Sequence, residues 1–136
     1  KKEQENNFQA IIEDLNVDLL VLARYMQILS EEFCERLRGR AINIHHSFLP
    51  SFAGSKPYHQ AYERGVKVIG ATAHYVTPEL DAGPIIVQEV RPITHETTAE
   101  QMVHLGHDIE TTALCQAVRL HCEDRVQING KRTVIL

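Results

Sequence analysis

Two stretches of the chain carry side chains that can act on a carbonyl together. The first runs Ile42-Asn43-Ile44-His45-His46-Ser47-Phe48-Leu49-Pro50. Side chains on a strand alternate from face to face, so Asn43 and His45 project together, away from Ile42 and Ile44. A turn at Ser47 to Pro50 puts the pair at the carboxyl end of its strand, where open α/β sheets bind ligands. A buried amide and imidazole must satisfy their hydrogen bonds or use them. A structural pair that only holds the next loop accounts for them equally well. The second stretch, Thr77-Pro78-Glu79-Leu80-Asp81-Ala82-Gly83-Pro84, reads as a loop stiffened by its prolines and glycine. Alone, Asp81 reads as an ordinary turn aspartate. Expected at the same end of one sheet as Asn43 and His45, it completes a set.

That set suffices for acyl transfer without a metal. Asn43 can donate to the oxyanion that forms on a carbonyl. His45 can carry a proton or, when charged, act as a second donor. Asp81 can orient a water, accept its proton and favour the charged form of His45. No serine or cysteine stands out as a nucleophile. Ser47 has no dedicated base and reads as support for the loop. His46 reads equally as a turn histidine or as a residue that holds water. Lys56, Tyr58 and His59 open a helix and read at least as well as a solvated helix start as they do as substrate contacts.

The elements that must position these residues alternate between helix and strand, which predicts an α/β domain. Phe8, Ile11, Ile12 and Leu15 recur at helical spacing. Val17 to Ala23 is a short apolar run of the kind found in buried parallel strands. Ser30 as N-cap, Glu31 and Glu32 in a first turn and Gly39 at C′ predict a helix near 31–38. A strand follows at 41–45, a loop at Gly54 to Lys56 and a helix near 57–64 closed by Gly65. Long β-rich runs cover 66–76 and 85–90. Thr97 and Glu100 form a predicted capping box before a long helix with an apolar stripe of Met102, Leu105, Ile109, Ala113, Ala117 and Leu120. Val126 to Ile128 and Thr133 to Leu136, joined by Asn129-Gly130, predict a closing hairpin. The strands near 18–23, 41–45 and 66–76 are expected to form a parallel core. A polar half-helix feeding the first buried strand is an unusual start for a doubly wound sheet. The chain is therefore expected to be the carboxyl-terminal part of something longer, or to lack an amino-terminal part.

Composition narrows the function classes. A net charge of -4 and a pI near 6.1 argue against a nucleic-acid partner. No apolar stretch approaches the roughly 20 residues of a membrane-spanning helix. Three cysteines, Cys34, Cys115 and Cys122, have no metal or redox spacing, so reduced thiols and a cytoplasmic location are expected. Cys115 and Cys122, seven apart on the long helix, read as small apolar residues of one face.

At these residues the chain resembles the folate-dependent formyltransferase family, whose hallmark is an Asn-x-His strand followed by a catalytic Asp. The matching residues are Asn43, His45 and Asp81, flanked by Ser-Phe-Leu-Pro-Ser-Phe and Leu-Asp-Ala-Gly-Pro-Ile-Ile. Leu22 to Leu29 looks like the segment lining the family's pterin pocket, and Gly70 to Val76 like the strand leading to the acidic loop. The resemblance runs from about Val17 to the end. It implies a Rossmann-like formyltransferase fold, a mostly parallel sheet flanked by helices, with residues 1–136 the carboxyl-terminal part of the catalytic domain and its amino-terminal strands missing. It also implies a pterin site built on Met26, Ile28, Leu29, Val76, Thr77 and Glu79, partly through main-chain groups. Ser47, Gly54 and His46 would support the site. Position 46 is histidine where amine-transferring members have proline, and Gly54 to Gly65 is similar to the deformylase branch. That branch implies hydrolysis of 10-formyltetrahydrofolate to formate and tetrahydrofolate, in one-carbon metabolism and purine biosynthesis. The folate is the substrate, and no metal or other cofactor is expected. The expected partner is this small molecule, with neither nucleic acid nor membrane, in a homo-oligomer.

Three rivals remain at this point. His45, His46, His74, His104 and His107 invite a metal site, although His104 and His107 fall near the polar side of their helix. An amine formyltransferase would use the same trio with a different acceptor. A folate-binding module without turnover would have little use for all three.

Overall fold

The apolar runs and caps form the elements they predict, and the computed structural model describes residues 1–23, 25, 27–46 and 55–136. The helices are α1 (Lys2–Asp14), α2 (Glu31–Arg36), α3 (Pro57–Arg64) and α4 (Ala99–Cys122). The strands are β1 (Leu20–Ala23), β2 (Ala41–His45), β3 (Val68–Tyr75), β4 (Ile85–Pro92), β5 (Val126–Asn129) and β6 (Arg132–Ile135). β1 to β4 form one sheet in that order, and β5 and β6 form a separate hairpin. Among the described residues no helix is long and apolar enough to cross a membrane.

The sheet is mixed. β1 and β2 are parallel, as expected, but β3 runs antiparallel to β2, and β4 antiparallel to β3. The β-rich run over 66–76 was expected to be the third parallel strand. β3 is buried almost throughout, but a central antiparallel strand covered on both sides presents the same pattern. Burial leaves its mark on composition, whereas strand direction does not.

Two apolar clusters sandwich the sheet. On one face Ile42, Ile44, Ala71, Ala73 and Tyr75 pack with Tyr58 and Ala61 of α3 and with Met102, Ile109, Ala113 and Ala117 of α4. On the other, Ala41 packs with Ile12 of α1 and with Leu29, Phe33, Cys34 and Leu37. The α4 stripe is buried as predicted, except that Leu105 is only half-buried. Of the α1 stripe only Ile12 is buried, while Phe8, Ile11 and Leu15 are exposed.

Local chemistry shifts three boundaries. The capping box is Thr98 with Gln101, one residue later than Thr97 with Glu100. The sequence Thr-Thr-Ala-Glu-Gln fits the pattern in both registers, and the Thr97 hydroxyl is already used to accept from the Thr94 amide. Ser30 caps α2 as expected, its hydroxyl accepting from the Phe33 amide, but the helix ends at Arg36, two residues before the expected limit. In the hairpin Asn129 pairs with Arg132, so the turn centres on Gly130 and Lys131 rather than on Asn129 and Gly130. Cys115 and Cys122 are exposed rather than part of an apolar face, and Cys34 is buried.

Candidate active site

The register of β2 on β3 decides which side chains meet. Asn43 lies opposite His74 and His45 opposite Thr72, while Ile42 and Ile44 lie opposite Tyr75 and Ala73. One face of the β2–β3 pair therefore holds Asn43, His45, Thr72 and His74, and the other is apolar. Near its end β3 carries a register irregularity between Ala73 and His74. Such irregularities often re-aim side chains beside active sites.

The loop 76–84 folds back over the polar face and delivers Asp81. It is held at both ends, because the Tyr75 amide donates to the Pro84 carbonyl at 3.0 Å and Val76 donates to Ala41 at 2.9 Å. The Thr77 hydroxyl donates to the Glu79 carbonyl at 3.1 Å. Gly83 permits the fold, since a Cβ there would fall 1.6 Å from the Tyr75 carbonyl oxygen and 3.1 Å from His74 Nδ1. Asp81 itself takes a left-handed backbone, φ 55°, which Asp tolerates better than most residues.

Asp81 meets two imidazoles. Its Oδ2 lies 3.3 Å from His45 Nδ1 and its Oδ1 lies 3.8 Å from His74 Nε2. His74 Nδ1 is 2.9 Å from the Tyr75 carbonyl. A carbonyl only accepts, so Nδ1 carries the hydrogen and Nε2 faces the carboxylate. At 3.8 Å that gap is too long for a direct hydrogen bond and suits a bridging water. Burial holds His45 below the ordinary imidazole value, with Asp81 pulling the other way, His46 and His74 pushing it further down, and Glu110 opposing them.

Asn43 is buried beside this pair. Its Nδ2 donates to the Tyr25 carbonyl at a long 3.4 Å, leaving a second N–H, and its Oδ1 has no hydrogen-bond partner among the described residues. An unmet buried polar atom costs ~1–3 kcal/mol, so it calls for an explanation, and readiness for a ligand is one.

A cleft of about 20 Å³ joins Asn43, His74 and Asp81 to Ile28, Leu29, Val76, Thr77 and Glu79. The five described residues predicted to bind substrate thus share one cleft with two of the predicted catalytic trio. Its free volume is close to that of one water. His46 is half-buried, its ring 5.4 Å from that of His45. Met26, Ser47 and Gly54 lie outside the described residues. Tyr58 is buried and donates to Glu110 at 2.8 Å, so it is not a solvated helix start, whereas Lys56 and His59 are exposed. His104 and His107 are exposed, and among the described residues no three His, Cys, Asp or Glu are arranged to hold a metal.

Sequence reasoning placed His74 only among imagined metal ligands. The signal was its alternation with Thr72 on a β run, but its pairing with Asn43 needed the strand register. Gly83 was read as a stiffener, whereas its role is to let backbone pass close to backbone.

Residues 1–118 match the formyl transferase family. The chain belongs to that family. The formyltetrahydrofolate deformylase of Corynebacterium sp. (strain P-1) is 57% identical over 93% of the chain, and that of Bacillus subtilis (strain 168) is 49% identical over 99%. The crystal structure of formyltetrahydrofolate deformylase from Burkholderia mallei ATCC 23344 covers the whole chain with a TM-score of 0.93 at 53% identity. A phosphoribosylglycinamide formyltransferase from Anaplasma phagocytophilum covers 96% with a TM-score of 0.85 at 37% identity. The chain spans about half the length of its deformylase relatives, 44% of the Corynebacterium protein and 48% of the Burkholderia chain.

Proposed function

We propose that this chain is the catalytic part of an enzyme that hydrolyses 10-formyltetrahydrofolate to formate and tetrahydrofolate, with water as the formyl acceptor. The observation that carries this reading is Asp81 against His45 at 3.3 Å, on the face that also holds a buried Asn43 whose oxygen is unmet among the described residues. The similarity to deformylases over the whole chain supports the choice of acceptor.

In this mechanism Asn43 uses its free N–H to hold the oxyanion as water adds to the formyl carbon. Asp81 orients that water, and Asp81 with His45 takes up its proton as one unit. Because burial disfavours a cation at His45, the imidazole is neutral and ready to share that proton at neutral pH. Once protonated, His45 keeps Nδ1–H on Asp81 and presents Nε2–H to the oxyanion. Collapse returns the proton to the departing N10 amine and breaks the C–N bond. Main-chain groups around Ile28, Leu29 and the Val76–Asp81 loop, with Met26, Thr77 and Glu79, hold the pterin. His46, Ser47 and Gly54 support the loop. No metal or further cofactor takes part. The enzyme works as a homo-oligomer, which light scattering of the full-length protein tests, and in the cytoplasm, which cell fractionation tests.

The similarity to phosphoribosylglycinamide formyltransferases favours a second reading, transfer to an amine. The full-length protein is expected to release formate from 10-formyltetrahydrofolate with neither amine nor metal added. Turnover that begins only when an amine is supplied would select the transferase. Asn43→Ala is expected to lower kcat by ~10²–10³ with little change in folate affinity.

A further inference from the structure

His74 takes no part in the mechanism above, yet it stands on the same face. It lies opposite Asn43 across the β2–β3 pair and is only 3% exposed. The two edges of its ring have different surroundings. Nδ1 lies 2.9 Å from the Tyr75 carbonyl, which can only accept, so the hydrogen sits on Nδ1. Loop 76–84 passes close along that edge, where a Cβ on Gly83 would fall 3.1 Å from Nδ1. With its hydrogen on Nδ1 the neutral ring offers a lone pair at Nε2. That atom is buried and finds no hydrogen-bond partner among the described residues. A buried acceptor without a donor is costly, and an ordered water is a common way to satisfy it.

The space beside Nε2 fits one water. Nε2 is 3.8 Å from Asp81 Oδ1, and both residues line the cleft of about 20 Å³. A water at hydrogen-bond distance from both atoms sees them at roughly a right angle, so it can give one hydrogen to each. The carboxylate and the bare imidazole nitrogen are both acceptors. A water that spends both hydrogens on acceptors keeps its lone pairs for an electrophile. Asn43, whose remaining N–H is the oxyanion donor of the hydrolytic mechanism, lines the same cleft.

We propose that His74 is a further catalytic residue, whose Nε2 holds the attacking water together with Asp81 Oδ1 and turns its lone pair to the formyl carbon. The proposal rests on the hydrolytic reading above. As the new C–O bond forms, the hydrogen facing Asp81 passes to the Asp81–His45 unit. The hydrogen facing His74 stays on the oxygen. The tetrahedral intermediate therefore carries a hydroxyl that donates to His74 and an oxyanion held by Asn43. Collapse breaks the C–N bond and returns the first proton to the departing N10 amine. Formic acid then loses its remaining proton to solvent and leaves as formate. His74 neither gains nor loses a proton over the cycle.

Two substitutions in the full-length protein separate holding a water from holding the strand. An asparagine amide nitrogen can take the place of Nδ1 and keep the Tyr75 bond, but it leaves nothing at Nε2. A glutamine reaches the place of Nε2 with an acceptor oxygen and gives up the Tyr75 bond. His74→Asn is expected to lower kcat for formate release by about 10²-fold, the cost of a misplaced reactant, with KM for the folate little changed. His74→Gln is expected to keep most of kcat. Equal losses, or a larger loss in the glutamine variant, would show that His74 serves only the strand and overturn the proposal. A high-resolution crystal structure of the unmutated protein needs no variant to fold. One ordered water within hydrogen-bond distance of both His74 Nε2 and Asp81 Oδ1 is expected, and a site without it overturns the proposal too. Either result leaves the hydrolytic reading standing, whereas an unmutated protein that releases no formate would defeat that reading instead.

Discussion

The two faces of β2 are made of neighbouring residues and follow opposite rules. Ile42 and Ile44 are almost fully buried against α3 and α4, in a cluster of apolar side chains. Asn43 and His45, one residue away, carry an amide oxygen with no hydrogen-bond partner among the described residues and an imidazole disfavoured as a cation, beside an aspartate on a left-handed backbone. The first face lowers the free energy of the fold. The second raises it locally and persists because the first, together with the loop bonds at Tyr75 and Val76, over-determines its geometry. Stability and chemistry are thus separated across the thickness of one strand, and mutations on the two faces should separate them too.

The largest effect is expected from the carboxylate. Asp81→Asn removes both the proton acceptor and the charge that opposes burial at His45. It is expected to lower kcat by at least ~10²–10³, as for loss of an oxyanion donor, while the protein stays folded. Because Asp81 and His45 handle one proton, Asp81→Asn combined with His45→Ala should lose far less than the product of the single losses. Full additivity would show that the two act separately.

Ile42→Ala tests the opposite face. Chemical denaturation is expected to show a loss of ~2–5 kcal/mol, the usual range for such a truncation in a core. Formate release per folded molecule should be nearly unchanged. A large fall in kcat without a loss of stability would break the separation of the faces.

Gly83→Ala sits between the two. Its Cβ cannot coexist with the Tyr75 carbonyl at 1.6 Å, so the loop must move and take Asp81 with it. Misplacement of a catalytic group by 1 Å can cost about 10²-fold, so a kcat loss of that order is expected with folate affinity less affected. A crystal structure of the variant with the His45–Asp81 distance unchanged would refute the argument.

The smallest effect is a pH dependence. His45 in the folded chain has a lowered affinity for protons, so the unfolded chain takes up its proton first as the pH falls. The contribution of His45 to stability is present above the ordinary imidazole value near 6.5 and is lost as the pH falls through that value towards the lowered one. Denaturation midpoints of the parent protein should therefore fall on acidification through that window. With His45→Gln this part of the dependence should disappear, while Ile42→Ala should keep it.

Much of this molecule was determined by local pattern. The apolar runs placed β1 to β4, Ser30 started α2, Gly65 closed α3, and the Asn-x-His alternation with a stiffened acidic loop pointed to Asn43, His45 and Asp81. These signals are legible because each depends on residues a few positions apart. Tertiary structure alone decided that β3 runs antiparallel to β2, since a strand buried on both faces has the same composition in either direction. It also decided that His74 faces Asn43, that Tyr58 reaches Glu110, and that most of the α1 stripe is exposed. Each of these is a meeting between residues far apart in the chain, set by register and close approach, and neither property is written in the side chains of one segment.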